Sequence, residues 1–333
     1  MAGQGGVVRQ AVRRLLLGRQ LVLGHDLGVQ RARGRQLRLG LGRVRRTPML
    51  ADPVLARRLG VPVLMKAEHL QETGAFKLRG ATSAVLALSP DALSRGVVTA
   101  STGNHGRALA HAAKLAGTRA VVCLSRLVPQ NKVAAIRALG AEVRIVGASQ
   151  DEAMVEVARA LSEEGLTEIP PFDHPDVVAG QGTIGLEIGA PEAVLVPLSG
   201  GGLAAGIAVA IKALSPATRV IGLTMENGAA MAASIRAGHP VEVTETASLA
   251  DSLGGGIGLG NRVTFPLCRD LLDEVILLTE AEIAQGIRHL GRAGHVVEGA
   301  AAVGTAALLT GKFVPTGPTV TILSGANIDP VLH

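Results

Sequence analysis

The stretch Glu72-Thr73-Gly74-Ala75-Phe76-Lys77-Leu78-Arg79-Gly80-Ala81 carries the first chemical signal in this chain. It sets one lysine just past a glycine turn, after the apolar strand candidate Val61–Met65 and before the helical run Leu78–Leu88. A lysine that begins a helix faces the positive end of the helix dipole, which disfavours an ammonium. The expectation is a lowered pKa and an amine usable as nucleophile and base. A surface lysine after a turn is the plain alternative, and what lies downstream decides between them.

Working outward, Thr47-Pro48-Met49-Leu50 reads as extended, since a residue before proline avoids the helical region. Beyond the lysine loop, short apolar strands alternate with helical patterns. Val97–Ala100, Arg119–Leu124 and Ala141–Val146 are strands, separated by helices Asn104–Leu115 and Pro129–Leu139, the second capped by Gly140, and followed by helix Asp151–Glu164. A second series has helix Pro175–Ile188, strand Ala193–Leu198, helix Gly202–Leu214, strand Arg219–Leu223 and helix Gly228–Ala237. Residues 239–273 read as irregular and glycine-rich. Strand Glu274–Leu278, helices Glu280–Gly291 and Gly299–Leu309, and strand Thr319–Leu323 close the chain. This alternation predicts an α/β fold with parallel sheets and crossover helices. The expected layout is two open parallel-sheet domains, a large one over 47–83 and 174–330 and a small one over 84–173.

Ligands in such sheets sit at the carboxyl ends of the strands, and three loops there carry polar signals. Ala100-Ser101-Thr102-Gly103-Asn104-His105-Gly106 ends one strand and opens a helix. Its hydroxyls and amides can cradle a carboxylate or act as an ordinary cap. Ser199-Gly200-Gly201-Gly202-Leu203-Ala204-Ala205-Gly206 does the same for the next sheet. Three glycines before a helix let backbone amides wrap a phosphate. The same residues fit the dinucleotide pattern G-x-G-x-x-A, with Glu226 near the distance of a ribose-binding acid, so a nicotinamide oxidoreductase is the rival reading. It leaves Lys77 and the Asn104 loop without a task. Ser324-Gly325-Ala326-Asn327 ends the last strand, where a hydroxyl could face a ring nitrogen or simply form a turn.

Composition narrows the class. The 333 residues include 43 Gly, four Phe and no Trp or Tyr, so the interior should be aliphatic with many tight turns. The net charge is +6, but residues 1–46 hold eleven Arg against the single acid Asp26. The remaining 22 basic and 26 acidic residues give the body a charge of −4, which argues against nucleic acid as a partner. The Arg-rich extension 1–46 reads as disordered, as a transit segment or basic arm, or as misassigned sequence. Cys123 and Cys268 have no metal-ligand spacing and suit buried thiols of a cytoplasmic protein. No apolar run is long enough for a membrane span, and the nine His show no paired metal spacing.

Taken together, the four loops resemble, in order and spacing over roughly residues 47–330, the serine/threonine dehydratases. These belong to the tryptophan synthase β-like (fold type II) pyridoxal-phosphate enzymes. Within them the chain is most similar to the hydroxyectoine utilisation dehydratases. That finer resemblance rests on Thr102, Met225-Glu226-Asn227-Gly228-Ala229-Ala230-Met231 and Ala250-Asp251-Ser252-Leu253-Gly254-Gly255-Gly256-Ile257-Gly258. The resemblance implies pyridoxal 5'-phosphate as cofactor, with Lys77 as its Schiff-base lysine and proton shuttle and Phe76 beside it. Ser199, Gly200, Gly201, Gly202 and Leu203 would bind the phosphate, Asn104 the ring oxygen and Ser324 the pyridine nitrogen. Ser101, Thr102, Gly103 and His105 would line the substrate carboxylate pocket, with Thr102 also catalytic.

The activity implied is elimination from a β-hydroxy amino acid of threonine or serine type, or from a hydroxyectoine-derived compound, giving an oxo acid and ammonia. A serine/threonine racemase or a β-replacement enzyme is the alternative on the same fold. A homodimer is expected because relatives usually form one. With the chain ending soon after Ser324, a catabolic enzyme without a regulatory domain is expected. Two positions depart from the family pattern. Ser199 replaces the usual first glycine of the phosphate loop. Thr224, Gly228 and Ala230 stand where some relatives carry cation-binding acids, leaving Glu226 as the nearby acid, so no metal is expected. Glu298 opens a helix, where an acid serves equally as cap or as site residue.

Overall fold

The structure is a computed structural model that describes Arg14 and residues 44–101, 103–128 and 130–328, with Gln150 described by its backbone. Thr102, Pro129 and most of the Arg-rich extension lie outside the described residues. In chain order the elements are β1 (Met49–Ala51), α1 (Pro53–Leu59), β2 (Val63–Lys66), α2 (Lys77–Leu86), α3 (Pro90–Arg95), β3 (Val97–Ala100), α4 (Asn104–Ala116) and β4 (Ala120–Leu124). Then follow α5 (Gln130–Ala138), β5 (Glu142–Ile145), α6 (Gln150–Glu164), β6 (Thr167–Glu168), α7 (Pro175–Ile188), β7 (Ala193–Pro197) and α8 (Gly202–Leu214). The last are β8 (Arg219–Met225), α9 (Ala230–Ala237), α10 (Thr264–Leu271), β9 (Glu274–Leu278), α11 (Glu280–Arg292), α12 (Gly299–Thr310) and β10 (Thr319–Ile322).

These strands form two sheets. One has the order β1-β2-β10-β7-β8-β9 and the other β5-β4-β3-β6. Every pairing is parallel except β1 with β2. Parallel pairing puts the carboxyl ends of all strands of one sheet on one edge. Because β10 lies between β2 and β7, the loops that follow these three strands become neighbours there, although they are far apart in sequence.

The cores are aliphatic. Ile207, Ala208 and Ile211 of α8 pack with Val178 and Ile184 of α7 on one face of the larger sheet, and Val303, Ala306 and Ala307 of α12 cover the other. α2 joins the two halves. Its Leu78, Ala81 and Val85 share a core with Leu109 of α4 and Val177 of α7. The approach of α2 to α7 is close enough that a Cβ on Gly180 would lie 2.4 Å from the Arg79 carbonyl oxygen.

Beneath α2 lies a fully buried charge cluster. Glu68 accepts from Arg79 Nε and Nη2, both at 2.8 Å, and Glu187 of α7 accepts from Arg79 Nη1 at 2.7 Å. Lys66 at the end of β2 donates to Glu187 at 2.5 Å. Two cations and two anions thus balance with none of their side chains more than 3% exposed.

Most expected elements form within a residue or two of their expected ends. The structure adds three helices and a strand to those expected: α1, α3, α10 and the two-residue β6. α10 falls in the stretch expected to be irregular. Its N-cap Val263 makes no side-chain bond, and the local Asn261 Oδ1 accepts only from Phe265 N, at 2.8 Å. The other free amides at this start go to the Asp173 carboxylate, distant in sequence, which accepts from the backbone amides of Arg262, Val263 and Thr264 at 2.8–2.9 Å. The helix expected from Gly228 begins at Ala230, because Gly228 takes a left-handed φ of 74°. Among the described residues no helix is long and apolar enough to cross a membrane.

Candidate active site

Lys77 is the first residue of α2, as its place after the glycine turn predicted. The loop that carries it is pinned to the loop after β10. Phe76 N donates to Ser324 O at 3.0 Å and Ala326 N to Gly74 O at 2.9 Å. The Lys77 amine points into a cavity of about 320 Å³. There it donates to the Pro171 carbonyl at 2.7 Å and lies 5.2 Å from the Phe76 ring centre. Burial pushes its pKa down to about 8, with the Glu298 carboxylate pulling the other way. The direction is the one expected from the helix start, but loss of solvent, not the dipole, is the leading cause.

The glycine loop forms the facing wall. Gly200, Gly201, Gly202 and Leu203 all line the cavity, with Ser199 beside them. Gly201 is the N-cap of α8 with φ of 88°, and no side chain caps this helix. A Cβ at Gly201 would meet Met231 Cε at 2.7 Å and Cys268 Sγ at 2.9 Å, so position and conformation both require glycine. Among the described residues, no acceptor is found for the amides of Gly200 through Ala204, whereas Ala205 N already bonds Gly201 O. A run of unpaired amides at a helix start is what a phosphate group satisfies.

The loop after β3 supplies the third wall through Ser101, Gly103, Asn104 and His105. His105 is 2 % exposed. Its Nε2 faces the Ile169 carbonyl at 2.7 Å, so Nε2 carries the proton and Nδ1 is left as a buried acceptor without a partner. Burial and the nearby Lys77 charge press its pKa down to about 3, so the ring is neutral throughout the physiological range. Asn104 is held from two sides. Its Nδ2 donates to Glu298 Oε1 and Oε2 at 2.9 and 3.0 Å, and its Oδ1 accepts from Asn327 Nδ2 at 2.6 Å. Ser324, 4 % exposed, also lines the cavity.

Every described residue expected at the site thus borders one cavity, and Thr102 lies outside the described residues. Several further groups line the cavity, among them Glu298, for which the sequence leaves cap and site roles both open. Glu298 is the N-cap of α12 yet makes no side-chain capping bond; its carboxylate turns into the site and also accepts from Asn327 N at 2.8 Å and Ser252 Oγ at 3.2 Å. Phe172 packs on the glycine loop, where a Cβ on Gly200 would fall 2.4 Å from its ring. Asp251 and Ser252 form part of the rim. Their segment was legible as a resemblance, and Glu298 as an acid opening a helix, but neither pattern reveals which cavity a side chain enters. Glu226, the acid of the dinucleotide reading, does not line this cavity.

An amine of lowered pKa, a cradle of unpaired amides and a buried hydroxyl at one cavity suit a phosphate-bearing aldehyde. The comparisons agree. The profile of the family described as "Pyridoxal-phosphate dependent enzyme" matches residues 41–325. A putative threonine dehydratase of Sinorhizobium fredii is 60% identical over 294 residues, covering 86% of this chain and 89% of that protein. Among solved structures, the processed form of threonine deaminase isoform 2 from Solanum lycopersicum superposes with a TM-score of 0.85 at 32% identity, over 97% of this chain and 90% of that one. Maize serine racemase gives 0.86 at 29% identity, over 96% and 94%. With a match that runs through the lysine loop, the glycine loop and Ser324 alike, this chain belongs to the pyridoxal-phosphate-dependent enzymes of tryptophan synthase β-like, fold type II architecture.

Proposed function

We propose that the chain is a dehydratase that eliminates water from a β-hydroxy-α-amino acid of threonine or serine type, releasing an oxo acid and ammonia. The observation that carries this reading is the convergence of Lys77, the unpaired amides of Gly200–Leu203 and Ser324 on one cavity. In this reading Gly200 to Leu203 hold the phosphate, Asn104 the ring oxygen and Ser324 the ring nitrogen. When bound, pyridoxal phosphate supplies an electron sink that makes the α-C–H of an amino acid acidic. Lys77 would hold the cofactor through Nζ and, when free of it, would take the substrate's α-proton at the same atom. Its depressed pKa suits that task, because a base works best with a pKa near the working pH. The amides at the start of α4, with Ser101 and Gly103, take the substrate carboxylate, and Thr102 belongs to the same loop. Ser324 offers a hydroxyl rather than a carboxylate, so no charged group there forces a ring nitrogen to keep a proton. A less electron-withdrawing ring would favour prompt loss of a β-hydroxyl.

A hydroxyectoine-derived compound is a second substrate reading. It is favoured by the placement of Asp251, Ser252, Leu253 and Gly254, part of the segment that carries that resemblance, on the cavity wall. The test is product analysis on purified protein beside its Lys77→Ala variant. The expected result is a yellow protein whose cofactor borohydride fixes at Lys77, and equal amounts of oxo acid and ammonia from L-threonine or L-serine. Inverted amino acid without ammonia would replace the dehydratase with a racemase.

A further inference from the structure

A second chamber of about 170 Å³ opens beside the cleft and shares Gly103, Asn104 and Glu298 with it. Its outer wall carries two cations, Arg107 from α4 and Lys132 from the first turn of α5. Neither has an acidic partner among the described residues. Arg107 donates to Asn327 Oδ1 at 2.8 Å, and Lys132 makes no hydrogen bond or ion pair there. Both are only half-exposed. Two acids also border the chamber, and neither pairs with Arg107 or Lys132. Glu298 accepts from Asn104, Asn327 N and Ser252. Asp251 sits on the exposed side, where its Oδ1 accepts from Ser252 N at 2.7 Å. The donors left unused in this chamber therefore belong to Arg107 and Lys132, next to the loop assigned to the substrate carboxylate.

We infer that this chamber is a substrate subsite, in which Arg107 and Lys132 receive a terminal anionic group on the side chain of a β-hydroxy-α-amino acid longer than threonine. The inference rests on the dehydratase reading for its substrate backbone. A carboxylate is the simplest such group. A half-buried pair of donors that no carboxylate engages directly binds it better than exposed charges do, since less of the attraction is screened. Threonine and serine leave the chamber to water, so they gain nothing from it. Continuity with the cleft through Asn104 and Glu298 favours an extension of the substrate over a separate anion.

The experiment uses the holoenzyme and two probes, glutarate, which carries two carboxylates, and butyrate, which carries one. Calorimetric binding should show glutarate bound about tenfold more tightly than butyrate. Lys132→Gln should remove most of that advantage, and Lys132→Arg should keep it. Lys132 stands on the outer turn of a helix, so these variants should fold. Equal binding of the two probes, or an advantage untouched by Lys132→Gln, overturns the subsite. Glutarate binding that survives undiminished beside saturating butyrate assigns the cations to an independent anion site and overturns it as well. Turnover of L-threonine, followed in the same preparations, separates the two readings. Turnover without a glutarate preference sinks the subsite alone, whereas a glutarate preference with no ammonia from L-threonine or L-serine sinks the threonine/serine reading alone.

Discussion

Lys77 and Glu298 set the acid–base behaviour of the site. With a pKa near 8, about one amine in ten is neutral at pH 7, against fewer than about one in a thousand for an ordinary lysine. Only the neutral amine attacks an aldehyde. The rate at which the apoprotein takes up pyridoxal phosphate should therefore rise about tenfold per pH unit below 8 and level off above it. Glu298 opposes the depression, so Glu298→Gln should lower the Lys77 pKa further and move this limb to lower pH. Stopped-flow absorbance across pH checks both, and an unmoved limb would show that Glu298 does not act on Lys77 electrostatically. His105, pressed down to about 3, should contribute no limb between pH 5 and 9. The low pKa of Lys77 was legible from its place at a helix start. Its main cause was not, since burial depends on Pro171 and Phe172, whose chain neighbours lie in a different part of the fold.

Among the elements, α2 is the one on which the site depends, and the charge cluster below it holds it in place. Arg79 stands two residues after Lys77 and ties it through Glu68 to the turn after β2 and through Glu187 to α7. Arg79→Met leaves two buried carboxylates with only Lys66 between them, a loss of about 3–5 kcal/mol, readable in urea unfolding. Burial by itself would raise the Glu68 carboxyl, but Arg79, with the Thr47 hydroxyl, holds it below its ordinary value. A lowered folded-state pKa stabilises above the unfolded value and is lost as pH falls through the folded one. Arg79→Met should accordingly shift acid unfolding to higher pH. The helical run of α2 is visible in the sequence. Its buried arginine is not, because Arg79 reads as a polar residue on a helix until Glu68 and Glu187 are brought to it.

The two sheets meet at the cavity, and the Asn104–Glu298–Asn327 bonds stitch one to the other. A cofactor seated between the glycine loop of one sheet and the β3 loop of the other binds only the assembled molecule. Holoprotein should therefore melt in one transition, higher than apoprotein by an amount that grows with cofactor concentration. Calorimetry of both forms tests this, and unchanged melting on loading would mean that the cofactor does not span the halves. From the sequence alone came the α/β class, most strand and helix positions, the lysine, and the loops that follow β3, β7 and β10, because periodicity, prolines and glycines act locally along the chain. Only the tertiary structure decided that β10 lies between β2 and β7, that Asp173 caps α10, and that Glu298 and Asn327 turn into the site. Each of these depends on groups separated by many tens of residues, which become neighbours only when the parallel sheets and their crossover helices close around a common core.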